Sequence, residues 1–398
     1  MEISTRLKLA SATCCILVFL SACGTAQPAS TGTGAGNQTS KPAEPAKASE
    51  PAKAESKNAE WDKIVEAAKK EGEIIITGQP AANSEKHVKA FEKAYPGITV
   101  KYTGARPSET VGKLLAEQKQ NRFLTDILLD AGQSVITDLW PIKATEDVRN
   151  YIARPEVKED KNWRGGFEQG FQMASDSGQY VTAVIPYPAL YINNDVIPKN
   201  EFSKFEDVLN PKFKGKTLVN DFSRPAQGNS LMTAMYLTYG EDFVNKFISN
   251  EPMVMDDLRQ LVENWASGKY PIGLGLSESE IAKFIDNGIV KNWTKIDPNP
   301  ITALHPLTLA VMKNPPHPNA TKVFVNWYLS KEAELERVKI AEETGAGSLS
   351  RRTDVPEPKI KLLAGWDKVQ YKESLLGVKA VEVREKMLQL GKSYKTKK

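Results

Sequence analysis

The segment FSRPAQGNS (222–230) has the residue types of an anion cradle. Small and amide residues open a helical stretch beside Arg224, so backbone N–H groups and a guanidinium could converge on a phosphate or a carboxylate. Ser223, Arg224, Gln227 and Asn229 are the candidate ligand-binding residues here. The same residues also fit a plain N-cap beside a solvated arginine. Arg106 and Arg259 are further anion candidates, although a single arginine is more often a surface residue. Tyr187 could stack on a solute or hold a cation over its ring; it could equally pack in a core, as could Tyr191.

Catalytic chemistry finds less material. The only histidines are His87, His305 and His317, and none sits in an HExxH pattern. No GxSxG or CxxC occurs, and FKGKT (213–217) resembles the end of a phosphate loop but has Asn210 where the earlier glycine would stand. No catalytic residue, cofactor or resident metal is expected, and the chain reads as a non-enzyme. The cysteines are Cys14, Cys15 and Cys23, all in the first thirty residues. The rest of the chain therefore has no disulfide framework and no thiol nucleophile.

These residues need elements to position them. Trp61, Ile64, Val65 and Ala68 share one helical face in WDKIVEAAKKEG (61–72), with Gly72 as the stop. EIIIT (73–77), ITVKYTG (98–104) and TDILLDAG (125–132) read as strands, separated by helices over 84–97 and 108–123. That alternation predicts a parallel sheet with helices on both faces. Residues 141–179 give no clear pattern. YVTAVIPYPALYINND (180–195) reads as extended segments broken by Pro186 and Pro188. A second α/β run follows: strands over 216–221, 253–255, 269–276 and 306–313, with helices over 228–240, 241–250, 256–268 and 318–336. The expected architecture is α/β in two lobes. Ligands of such sheets sit beyond the carboxyl ends of the strands. That rule adds Gln79 after the first strand, Arg106 after the second and Ser134 after the third, and Ser277 and Glu278 in the second lobe.

The start of the chain is of another kind. Arg6 and Lys8 precede the apolar run LASATCCILVFL (9–20), and Leu20-Ser21-Ala22-Cys23 follows. A basic n-region, a short apolar stretch and small residues make a secretory signal, and twelve apolar residues are too few to span a bilayer as a helix. Residues 24–60 hold no Leu, Ile, Val, Met or aromatic side chain, so they are expected as coil, reaching roughly 30–40 Å. The whole chain of 398 residues carries a formal charge of +4, and the leader contributes Glu2, Arg6 and Lys8. This near-neutral balance argues against a nucleic-acid partner.

The chain resembles the type II extracytoplasmic solute-binding proteins of ABC importers, closest to the group that includes ferric-iron and thiamine binders. The resemblance covers about 61–345 and rests on stretches in order: AAKKEGEIIITG…FEKAYPGITVKY, ALYINNDVIPKNEFSKFEDVLNPKFKGKTLVND, ASGKYPIGLG and PLTLAVMKNPPHPNATKVFVNWYLS. It implies a periplasmic-binding-protein type II fold with a ligand cleft between two lobes. The boundaries would be a lipoprotein signal at 1–22, a lipidated Cys23 and tether over 23–60, the first lobe at 61–185 and 302–345, the second at 186–301, and C-terminal helices over 346–398 packed on the second lobe. The strand crossings would lie near 185–193 and 302–309. The implied partners are a small solute, an ABC permease with its ATPase, and the membrane through a lipid on Cys23; the protein would act as a monomer. The iron binders of the group carry adjacent tyrosines just after the strand that here reads YPIGLG, where this chain has Leu276-Ser277-Glu278-Ser279. The arginine-bearing and helix-start loops make an anionic or zwitterionic organic solute the first expectation, a thiamine-like cation the second and ferric ion the third. A sensor lipoprotein that presents a solute to a membrane receptor would share this signature.

Overall fold

The computed structural model describes residues 52–105, 107–186, 189–224, 227–298, 303–345, 347–360, 373–374 and 376–396. Thirteen strands occur among them. In chain order they are β1 (Glu73–Gly78), β2 (Thr99–Gly104), β3 (Ile127–Leu129), β4 (Thr145–Glu146), β5 (Tyr180–Pro186), β6 (Leu190–Asn193), β7 (Thr217–Asn220), β8 (Met253–Met255), β9 (Ile272–Leu274), β10 (Trp293–Ile296), β11 (Ala303–Met312), β12 (Leu349–Ser350) and β13 (Glu373–Ser374). The first sheet runs β12-β5-β11-β3-β1-β2, with β4 and β13 also paired to β11. The second runs β10-β6-β9-β7-β8. The chain leaves the first sheet after β5 and re-enters it at β11.

The patterning of the strands explains the layers. Successive side chains on a strand point to opposite faces. On β11, Leu309 and Val311 join Ile74, Ile76, Phe91, Phe324 and Trp327 in one core, while Ala310 and Met312 join Val111, Leu114 and Leu139 in another. The second sheet divides the same way: Leu190, Ile192 and Val219 face Met232, Phe243 and Phe247, while Tyr191 and Leu218 face Leu261, Trp265 and Ile281. Both sheets are thus covered by helices on each face.

The sheets are mixed rather than purely parallel. β1, β2 and β3 are parallel, but β11 runs antiparallel to β3 and β5. In the second sheet β7, β8 and β9 are parallel, β6 runs antiparallel to β9, and β10 runs antiparallel to β6. The antiparallel members include β6 and β11, the first strands after the chain changes sheet, and simple alternation of helix and strand does not reveal their direction.

Other differences have local causes. The first helix starts at Ala52, inside the stretch expected as coil. AKAESKNAE is rich in good helix formers but has no apolar face, so propensity favours a helix where periodicity is silent. The helix expected over 318–336 is two, Pro318–Tyr328 and Lys331–Thr344, because Ser330 caps the second by accepting the N–H of Ala333. Glu71, the last residue of the first helix, caps Pro318–Tyr328 by accepting from the backbone of Asn319 at 3.1 Å and of Ala320 at 2.7 Å.

The patternless stretch 141–179 is a run of short turns organised by one buried arginine. Arg351 donates to the Tyr180 hydroxyl (3.1 Å) and to the carbonyls of Val181, Arg164 and Gly166. The rings of Trp163, Phe167, Phe171 and Tyr180 pack around it. The residues after 345 also differ from expectation. β12 pairs with β5 and β13 with β11, so these strands stay with the first sheet. The last helix, Val378–Thr396, packs on helix Gln227–Tyr239 and puts Val383 and Met387 into the second sheet's core.

Candidate functional site

The carboxyl ends of the parallel strands carry the polar chemistry of each sheet. In the first sheet, Gln79 follows β1 and donates its side-chain N–H to the Asp130 carbonyl at 3.3 Å. The Tyr102 hydroxyl donates to the Gln79 carbonyl at 2.6 Å. Asp130 follows β3 with φ of 58°, in the left-handed region. Its carboxylate accepts the Thr308 N–H at 3.0 Å, and burial still pushes that carboxyl up to about 6. Burial also raises the Tyr102 phenol to about 12. Ser134 closes the short turn Gly132–Ser134 just beyond, where a Cβ on Gly132 would lie 2.6 Å from the Leu376 side chain.

In the second sheet, Asp221 follows β7 and is almost fully buried. One of its oxygens accepts both the backbone N–H (2.9 Å) and the hydroxyl (2.7 Å) of Ser223. The other accepts from the Lys395 ammonium at 2.6 Å. These donors hold its carboxyl below the usual carboxylate range despite the burial. Arg224 is 51% exposed; it pairs with Asp256, which follows β8, and lies 3.8 Å from Asp221. Asn220 ties the loops together by donating to the Met255 and Asp256 carbonyls and accepting the Gly228 N–H at 3.0 Å. Gln227 opens helix Gln227–Tyr239 and reaches the Gly275 carbonyl beyond β9 at 3.3 Å.

The other sequence-derived candidates lie as follows. Asn229 is buried under the last helix, its amide donated to the Arg384 carbonyl at 3.0 Å. Arg259 is 78% exposed and paired with Glu263 four residues on. Ser277 is the residue before helix Glu278–Asp286, its carbonyl accepting from Glu280 and Ile281. Cys23, Arg106 and Tyr187 lie outside the described residues. Tyr191 is core, and its carbonyl accepts the Trp265 indole N–H at 2.9 Å.

Sequence reasoning missed Asp130, Asp221, Asp256 and Lys395. A weak signal existed for three of them, since each aspartate directly follows an apolar strand. Lys395 had none, because its role depends on where the last helix docks. That helix backs the Ser223 loop: a Cβ on Gly391 would lie 2.7 Å from the Ser223 backbone, and the Tyr394 hydroxyl donates to Pro252 at 2.8 Å. Helix Gln227–Tyr239 also touches β11, a strand of the first sheet.

Among the described residues no group of three or more His, Cys, Asp or Glu side chains is placed to hold a metal ion. Nor is any helix among them long and apolar enough to cross a membrane.

Residues 86–359 match the family described as bacterial extracellular solute-binding protein. No curated protein sequence matches the chain significantly. Among solved structures, iron-bound HitA from Pseudomonas aeruginosa is 15% identical, with a TM-score of 0.57 over 81% of this chain and 99% of that one. A putative extracellular solute-binding protein from Bordetella parapertussis is 16% identical, with a TM-score of 0.61 over 81% and 98%. AfuA from Actinobacillus pleuropneumoniae with fructose-6-phosphate bound is 16% identical, with a TM-score of 0.52 over 80% and 97%. At these identities the likeness is one of fold, the two-lobe periplasmic-binding fold.

Proposed function

This chain belongs to the bacterial extracellular solute-binding proteins, and on that premise we propose that it is a lipid-anchored receptor that captures a small anionic or zwitterionic organic solute and delivers it to an ABC permease. The observation that carries the reading is the pair of polar strand-end loops, with Asp130 and Gln79 on one sheet and Ser223, Arg224 and Gln227 on the other. Solute held between two lobes favours their closure, because the closed form has contacts that the open form lacks. Cys23 carries the lipid, and the segment after it keeps the folded part near the membrane, which raises its local concentration at the permease. The ATPase is a separate partner. Glu278 and Arg106 belong to the same proposed cleft by their positions after β9 and β2, and Tyr187 by its place between β5 and β6.

The likeness to an iron-bound protein is one of fold and carries no solute with it. A ferric ion is best held by hard anionic oxygens. The loop after β9 offers Gly275, a buried Leu276 and Ser277 rather than phenolates. The half-exposed Arg224 guanidinium suits an organic anion better.

The test is a thermal-shift screen of the purified full chain carrying Cys23→Ser. The panel spans carboxylates, phosphorylated and phosphonate compounds, amino acids, sugars, thiamine, polyamines and ferric chelates. A solute at 100 times its dissociation constant adds about 2.7 kcal/mol, or several degrees. One chemical class should raise the midpoint. Silence from every compound, repeated after denaturation and refolding to strip any retained solute, overturns the reading.

A further inference from the structure

The charges at the carboxyl ends of β7 and β8 are not equivalent. Asp221 is buried and already engaged by two donors of Ser223 and by the Lys395 ammonium. Lys395 is likewise committed to Asp221. Arg224 and Asp256 are different: they pair with each other, and their side chains are 51% and 56% exposed. Neither is needed to build its own element. Of the two adjacent aspartates, Asp257 caps helix Leu258–Ala266 by accepting the Gln260 N–H at 2.8 Å, which leaves the Asp256 carboxylate to Arg224. The Asp256 backbone is fixed separately, by the Asn220 amide on its carbonyl. Arg224 in turn stands one residue past the Ser223 turn that Asp221 holds rigid.

We propose that the solute is a zwitterion, its anionic end taken by Arg224 and its cationic end by Asp256, so that the ion pair between them opens and is replaced by two pairs across the solute. This rests on the solute-binding reading above and names its chemical class. The argument is one of charge balance. Cleft closure removes both groups from water, and a desolvated charge without a partner is costly. A simple anion on Arg224 would strand the Asp256 carboxylate, and a simple cation on Asp256 would leave the guanidinium only Asp221, 3.8 Å away and already taken by Ser223 and Lys395. A zwitterion leaves every charge paired, and the guanidinium fork suits a carboxylate, sulfonate or phosphonate terminus. The pre-existing pair therefore rejects singly charged solutes as well as accepting doubly charged ones.

The experiment is calorimetric titration of the full Cys23→Ser chain, of Arg224→Gln and of Asp256→Asn. The probes are an ω-amino acid series from glycine to 6-aminohexanoate with the corresponding amino-sulfonates and amino-phosphonates, each beside its parent acid and parent amine. At least one zwitterion should bind the unsubstituted site roughly tenfold or more tightly than either parent. Asp256→Asn should erase that margin by weakening the zwitterion and strengthening the parent anion. Arg224→Gln should lose both. The thermal midpoint of each variant, measured alongside, reports folding. Equal binding of a parent anion and its zwitterion, or an unchanged margin in Asp256→Asn, overturns the zwitterion and leaves solute capture standing. So does a solute screen answered by another class alone. Failure of every compound in both experiments removes solute capture itself, and the zwitterion with it.

Discussion

His87 is buried against Trp327 and Tyr328, and its Nε2–H donates to the Ala333 carbonyl at 2.8 Å. Burial, followed by the nearby Arg337 charge, pushes the imidazole down to about 4. His305 is also brought to about 4, by burial and then by Arg384. An unfolded histidine titrates near 6.5. Between those values the unfolded chain binds protons that the folded chain refuses, so stability is intact above pH 6.5 and is lost as pH falls toward 4. For His87 the loss approaches roughly 3 kcal/mol at pH 4. Urea unfolding at stepped pH should show this slope, and His87→Leu should flatten it while lowering stability at pH 7 by about 1 kcal/mol through the lost bond to the Ala333 carbonyl. An unchanged slope in the variant would assign the acid sensitivity elsewhere. His317 is of another type: it sits on the buried Asp126 carboxylate, with Nδ1 2.8 Å from one oxygen, and so fixes the NPPHPN turn to the start of β3.

Helix Gln227–Tyr239 is the element on which the proposed cleft depends. Its second residue must be glycine for packing reasons: a Cβ on Gly228 would lie 2.3 Å from the Asn220 carbonyl oxygen and 2.4 Å from that of Asp221. Both are backbone atoms at the end of β7 and cannot swing aside. Gly228→Ala should therefore destabilise the protein by about 1–3 kcal/mol. It should also weaken solute binding, because relief comes from shifting the helix start that carries Gln227 away from the Gly275 carbonyl. Denaturant unfolding with a parallel titration checks both, and a fully stable alanine variant would show that the approach is looser than drawn. The last helix belongs to the same assembly. Phe222 stacks with Tyr394, and the Asn229 amide meets Arg384, so the loop is held from behind by residues near the end of the chain.

Two sheets that each keep a packed core of their own can rotate against each other. The effective solute of the thermal screen should accordingly lower the radius of gyration in small-angle scattering, with no loss of helix or strand signal. A radius unchanged at saturation would mean capture without closure. The alternation of strand and helix, including the short strand at 253–255, was legible in the sequence because burial of one face imposes a period of 2 or 3.6 on neighbouring residues. The hydrogen-bonding capacity of Ser223, Arg224 and Gln227 was also legible, because residue type alone declares it. The mixed direction of the sheets was not legible, nor the helix begun at Ala52, where no apolar face marks the element. Above all, partners were not legible. Arg224 could have been solvated, and only the packing of β8 beside β7 gives it Asp256. Arg351 could have been a surface charge, and only the folding of 164–181 around it supplies the Tyr180 hydroxyl and the carbonyls of Arg164, Gly166 and Val181. Lys395 meets Asp221 because the last helix docks on Gln227–Tyr239. The sequence by itself determined the elements and the chemistry available at their ends, since both are local properties of residue type and spacing. The tertiary structure alone decided which charges meet, because that depends on distances between segments far apart in the chain.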